Sequence, residues 1–187
     1  ACLADDMGLG KTLQALMVLR MRQHLGPALV VVPKSVVTNW QEEVTRFAPE
    51  LEVVVFENPA ERETLIQEAR AGQIILVNYG MLGSLAQSLK SRRWASMVLD
   101  EAQQIKNAGT QRAKLLFQLE GDFRLALSGT PIENHLGELW SLFTFINPGL
   151  LGSLGEFKRR FGKAVKDPHH MAMLRAVISP FILRRLK

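Results

Sequence analysis

Short apolar runs recur along the chain at Ala28–Val32, Val53–Phe56, Ile74–Val77, Met97–Leu99 and Leu125–Leu127, and each predicts a β-strand. They are continuous rather than alternating, the pattern of strands covered on both faces. Between them the apolar spacing turns helical. Val37, Trp40, Val44 and Phe47 fall at i, i+3, i+7 and i+10, and Pro59–Ala71 and Thr110–Leu119 repeat the pattern. Strands alternating with helices predict an α/β domain in three layers, with a mainly parallel central sheet. After Pro131 the strand pattern ends. Helical patterns at Leu136–Ile146, Leu154–Phe161 and Met171–Ile178 predict a helical C-terminal extension. The expected division is a lobe over residues 1–147 and a basic helical segment over 148–187.

Composition narrows the class. The chain has 187 residues, 47% hydrophobic and 22% charged, enough apolar content to build a core. No run approaches the roughly 18 apolar residues of a membrane span. Cys2 is the only cysteine, which excludes an intrachain disulfide and fits a reducing, cytoplasmic compartment. The histidines show no metal-binding pattern, and His169-His170 reads as a polar helix start. The net charge of +5 is unevenly placed: Lys158–Lys187 holds nine basic residues and one acid, against 14 basic and 17 acidic in the remainder. Such a segment suits a polyanion such as nucleic acid, or else is a solvated helix face.

Candidate chemistry begins at Asp5-Asp6-Met7-Gly8-Leu9-Gly10-Lys11-Thr12. Glycines let main-chain N–H groups approach an anion, and a helix N-terminus behind them adds partial positive charge. Gly8, Leu9, Gly10, Lys11 and Thr12 are therefore expected to bind a nucleotide. Lys11 would reach the terminal phosphates and the Thr12 hydroxyl a magnesium ion. The loop departs from G-x-x-x-x-G-K-[ST] at its first position, which is Asp5. A short apolar stretch, Ala1–Ala4, precedes it. Leu13, Leu16, Met17 and Met21 follow on one helical face, toward a stop near Gly26-Pro27.

The run Met97–Leu99 ends in Asp100-Glu101-Ala102-Gln103. An acid at a strand's C-terminal end suits a hydrated magnesium ion, which keeps most of its waters and takes one or two carboxylates. Asp100 is the expected ligand, and Glu101 is placed to orient and deprotonate an attacking water. Three further strand ends are polar: Pro33-Lys34-Ser35 with Asn39-Trp40, Asn78-Tyr79-Gly80, and Ser128-Gly129-Thr130-Pro131. Each alone reads as a βα turn with a capping side chain. Together on one rim, where open α/β sheets bind ligands, they point to a second polyanion.

These motifs, in this order and closing on Ser179-Pro180-Phe181-Ile182-Leu183-Arg184-Arg185, resemble the Swi/Snf-type ATPases, superfamily-two helicase relatives that translocate on duplex DNA. The resemblance spans essentially the whole chain, and Leu127–Trp140 is its most specific part. It implies a RecA-like first motor lobe that uses ATP and magnesium. Lys11, Asp100 and Glu101 would be catalytic, and Gln103 would join the nucleotide site. Pro33, Lys34, Ser35, Asn78 and Tyr79 would touch the DNA backbone. Ser128, Gly129 and Thr130 would couple hydrolysis to movement. Asp6 stands where Glu is commoner, and Gln103 where eukaryotic remodellers have His, which looks more like a prokaryotic member, in the cytoplasm with the nucleoid. An adenine-contacting glutamine motif upstream of Ala1 and a second lobe with arginine fingers beyond Lys187 are also implied. A strand-separating helicase lobe and a nucleotide-gated DNA-binding module without hydrolysis remain alternatives.

Overall fold

The computed structural model describes residues 1–6, 8–129, 136–162 and 167–185. In chain order the elements are β1 (Cys2–Leu3), α1 (Lys11–Arg22), β2 (Ala28–Val32), α2 (Val37–Phe47), β3 (Glu52–Val54), α3 (Arg62–Gln67) and β4 (Gln73–Asn78). Then come α4 (Ala86–Lys90), β5 (Arg93–Trp94), β6 (Ser96–Leu99), α5 (Gln111–Gln118), β7 (Glu120–Gly121) and β8 (Arg124–Leu127). The chain closes with α6 (Leu136–Ile146), α7 (Leu154–Phe161), α8 (Pro168–Ile178) and β9 (Ile182–Leu183).

Seven strands form one sheet in the order β3-β4-β2-β6-β8-β1-β9, and every pairing in it is parallel. Parallel neighbours need crossovers, and helices supply them on both faces. The continuous apolar runs resolve into two cores. In β2, Ala28, Val30 and Val32 face α1 and α2, meeting Ala15, Leu16, Leu19, Trp40 and Val44. Leu29 and Val31 point the other way, into a core with Ile66, Leu116, Phe143, Phe145 and Phe157 from the remaining helices. The period of two is intact, but both faces are buried, so no polar residue marks it. This is a RecA-like α/β architecture.

Several boundaries differ from the pattern. The helix expected over Pro59–Ala71 is a 3-10 turn, Pro59–Glu61, followed by only six residues of α-helix. The expected strand Val53–Phe56 is Glu52–Val54, a short edge strand bonded to β4 alone. Strands do not end before Pro131: β9 pairs parallel with β1 at Cys2↔Ile182 and Leu3↔Leu183. Two residues are too few to register a periodicity. The C-terminal basic segment packs back on the sheet through Phe157, Phe161 and Leu174, while Lys158, Arg159 and Arg160 stay exposed. α7 opens on a reciprocal Ser153–Glu156 capping box, and α8 on Asp167, which accepts from the His169 amide at 2.9 Å. His169-His170 is thus a helix start, as its sequence suggests. Among the described residues no helix is long and apolar enough to cross a membrane.

Candidate functional site

Because the sheet is parallel, the C-terminal ends of its strands share one edge. Along that edge β4, β2, β6, β8, β1 and β9 run side by side. They deliver, in that order, Asn78-Tyr79, Pro33-Lys34-Ser35, Asp100-Glu101, Ser128-Gly129, the Asp5–Thr12 loop and Arg184-Arg185. All the described residues expected at the site therefore lie on one rim. Thr130 lies outside the described residues, as do Met7, Lys163 and Lys187.

The loop between β1 and α1 turns through Gly8 (φ 83°) and Gly10 (φ 68°). Gly10 is the N-cap of α1, in a left-handed conformation that costs an L-residue roughly 1–2 kcal/mol. No side chain caps α1, and its first turn holds no acid, so the helix amides are left to an incoming anion. The Lys11 ammonium arches back over the loop and donates to the carbonyls of Asp5 at 2.7 Å and Asp6 at 3.2 Å. Gln14, one turn further on, donates to the Leu9 carbonyl at 3.0 Å.

Asp100 is gripped from both helical layers. The indole N–H of Trp40, on α2 and 1% exposed, donates to its carboxylate at 2.9 Å. The hydroxyl of Tyr79, in the opposite core, donates to its backbone carbonyl at 2.8 Å. Its amide donates to the Val31 carbonyl of β2 at 2.8 Å. Burial pushes the Asp100 carboxyl above its ordinary range, and the Trp40 and Glu101 hydrogen bonds and the Lys11 charge pull the other way. The phosphate loop after β1 and the acid pair after β6 flank the end of β8 on the same edge of the sheet.

Glu101 is the only non-glycine residue with positive φ among the described residues, at 48°. Strain of this kind persists where the surroundings enforce it, often at functional sites. Here the Glu101 amide donates to Asp100 at 2.9 Å, and its carboxylate accepts from Gln103 Nε2 at 2.5 Å. Gln103 Oε1 in turn accepts from the Ser128 hydroxyl at 3.3 Å. A relay of side chains therefore runs from β8 through Gln103 to Glu101. Its middle residue is a bridge between two strand ends.

The rim residues expected to meet DNA divide by exposure. Lys34 and Ser35 are exposed and Pro33 partly so, at the turn leading into α2. Asn78 closes an Asx turn by accepting from the Gly80 amide at 3.0 Å. Tyr79 is 7% exposed, and its side chain lies under the rim rather than on it. An aromatic after an amide reads as a surface contact in sequence, and only the tertiary structure reveals its buried hydroxyl bond.

Two further contacts have no local sequence signal. One is the Trp40 bond to Asp100, across 60 positions. The other joins the ends of the chain: the fully buried Asp5 carboxylate meets the Arg185 guanidinium at 2.5 Å. The Arg185 hydrogen bond holds the Asp5 carboxyl below its ordinary range, against burial, which pushes it up.

The arrangement suits a magnesium nucleotide. No group of three His, Cys, Asp or Glu among the described residues could enclose a metal on its own. The half-buried Asp100 carboxylate, a hydroxyl at Thr12 and a loop of amides instead match an ion shared with phosphates and water. The geometry agrees with what the chain resembles. The family model of the SNF2-related domain matches residues 1–187. YwqA of Bacillus subtilis (strain 168), named an ATP-dependent helicase/translocase, is 40% identical over 196 residues, covering 100% of this chain and 21% of that protein. The chromatin-remodeling ATPase INO80 of Drosophila melanogaster is 39% identical over 208 residues, covering 99% of this chain and 13% of that protein. The chain thus spans about a fifth or less of the length of these relatives. The Sulfolobus solfataricus SWI2/SNF2 ATPase core in complex with dsDNA superposes with a TM-score of 0.89 at 46% identity, covering 100% of this chain and 40% of that one. A loop, an acid strand and a relay on the rim of a parallel sheet, matched along the whole length by one family model, lead to one assignment: the chain belongs to the SNF2-related domain family.

Proposed function

We propose that this chain is the ATP-binding lobe of a duplex-DNA translocase, in which hydrolysis is coupled to movement. The observation that carries this reading is the double grip on Asp100. Trp40 sits one turn into α2, directly behind the exposed Lys34-Ser35 turn. Tyr79 directly follows Asn78 at the end of β4. A shift of either rim segment on a DNA backbone moves a group bonded to the acid of the nucleotide site.

The residue roles follow. The loop amides and Lys11 bind the phosphates, with Lys11 exchanging its two carbonyl partners for phosphate oxygens. Asp100 and Thr12 hold magnesium, which when bound neutralises charge on the phosphates. Glu101 orients the attacking water and accepts its proton. Gln103 fixes the Glu101 carboxylate and links it to Ser128, so Ser128 and Gly129, with Thr130, transmit the state of β8. Pro33, Lys34, Ser35 and Asn78 contact DNA phosphates, helped by the exposed Lys158–Arg160 cluster. The second lobe that the resemblance implies would close over the nucleotide from the other side.

Lys11→Ala removes a charge-assisted contact that is worth roughly 1.5–3 kcal/mol. Magnesium-ATP affinity should therefore fall by about 10- to 150-fold, read by calorimetric titration. Equal affinity in the two proteins would contradict the site.

A further inference from the structure

The loop's departure at its first position has a structural counterpart at the other end of the chain. Asp5 is 0% exposed, beside a loop that would receive a polyanionic triphosphate. A bare carboxylate there would be costly to bury and would repel the ligand. Arg185 meets it three times: Nη2 at 2.5 Å and Nε at 3.1 Å to Oδ2, and the backbone amide at 2.8 Å to Oδ1. The same Nη2 donates to Gln14 Oε1 at 2.5 Å. Gln14 Nε2 reaches back to Asp5 Oδ2 at 3.4 Å and to the Leu9 carbonyl at 3.0 Å.

The backbone locks this arrangement in register. The Ala4 amide donates to the Leu183 carbonyl at 2.8 Å, and the Asp6 amide to the Arg185 carbonyl at 3.1 Å. Loop and arginine are thus bonded on both sides of Asp5, across 180 positions of sequence. The carbonyls of Asp5 and Asp6 are also the acceptors of the Lys11 ammonium. Whatever displaces Arg185 disturbs the two residues that hold the phosphate-binding lysine.

We propose that Arg185 is a positioning residue of the nucleotide site: it cancels the buried Asp5 charge and fixes the phosphate loop, so that triphosphate affinity depends on where the chain after β9 is held. The inference rests on the ATP site proposed above. Arg185 does not touch the nucleotide; it acts through Asp5, Gln14 and, at one remove, Lys11.

The test is calorimetric titration of the full-length protein with adenosine, ADP and ATP in magnesium. Arg185→Met leaves the carboxylate uncompensated and should weaken ATP by at least about tenfold, ADP less, and adenosine little, because the penalty scales with ligand charge. Adding Asp5→Asn to Arg185→Met should restore most of the ATP affinity. Asp5→Asn alone, with Arg185 retained beside the phosphates, should bind ATP at least as tightly as wild type. If Arg185→Met does not fold, the double variant and Asp5→Asn decide. Three results would overturn the inference: undiminished ATP affinity in Arg185→Met, equal losses for adenosine and ATP, or an Asp5→Asn protein that binds ATP more weakly. Lys11→Ala run alongside separates the failures, since its equivalence to wild type would remove the ATP site itself.

Discussion

Residues 1–187 alone are expected to release phosphate from ATP about 10³–10⁵ times more slowly than a protein in which they are followed by a second motor lobe, both on saturating duplex DNA. Phosphoryl transfer has little covalent chemistry for a protein to perform, and its rate depends on positive charge fixed around the γ-phosphate. This chain offers Lys11. Its arginines are committed elsewhere where their contacts are seen. Arg185 is bound to Asp5, Arg112 donates to Gln104, and Arg124 donates to the carbonyls of Leu119 and Phe145. The family resemblance places the arginine fingers on the second lobe, so chemistry would await closure of the two lobes over ATP, which ties turnover to stepping. Steady-state phosphate release by the two proteins measures this. Vigorous DNA-stimulated turnover by residues 1–187 would show that the catalytic set is complete within them.

Glu101→Gln in the two-lobe protein should lower turnover by about 10²–10⁴-fold while leaving magnesium-ATP affinity nearly unchanged. The substitution keeps the size of the side chain and removes the base. It also recasts the relay, because a glutamine amide no longer presents two acceptor oxygens to Gln103, which now bonds Glu101 at 2.5 Å. The neighbouring Asp100 keeps its Trp40 and Tyr79 bonds, so the magnesium side of the site is untouched. Single-turnover phosphate release beside a titration of ATP separates chemistry from binding. A variant that hydrolyses ATP at the wild-type rate would transfer the base role to another residue.

Much of this was legible along the chain. The runs at Ala28–Val32, Leu136–Ile146 and Leu154–Phe161 have the bounds their patterns predict, because each buries a whole apolar face. The loop from Asp5 to Thr12 and the acid pair at Asp100-Glu101 could be read because their chemistry is local. The strand β9 could not: two residues acquire strand geometry only by pairing with β1, at the far end of the sequence. The Arg185 bond to Asp5 is invisible for the same reason. Asp5 departs from the loop pattern at a glycine position, and the partner that accounts for it lies 180 positions away. Tyr79 and Trp40 both read as rim residues, Trp40 on an apolar helical spacing as well, and each carries a polar bond to Asp100 that no periodicity encodes.

The most direct test of the coupling between the DNA rim and the ATP site is the ratio of DNA-stimulated to basal ATP turnover in the full-length protein, wild type against Trp40→Phe. Phenylalanine keeps an aromatic ring in the core but removes the pyrrole half of the indole, and with it the N–H that joins α2 to the Asp100 carboxylate, a charge-assisted bond worth roughly 1.5–3 kcal/mol. The stimulation ratio should fall by about tenfold or more at unchanged DNA affinity. A Trp40→Phe protein that DNA stimulates as strongly as wild type would contradict the account.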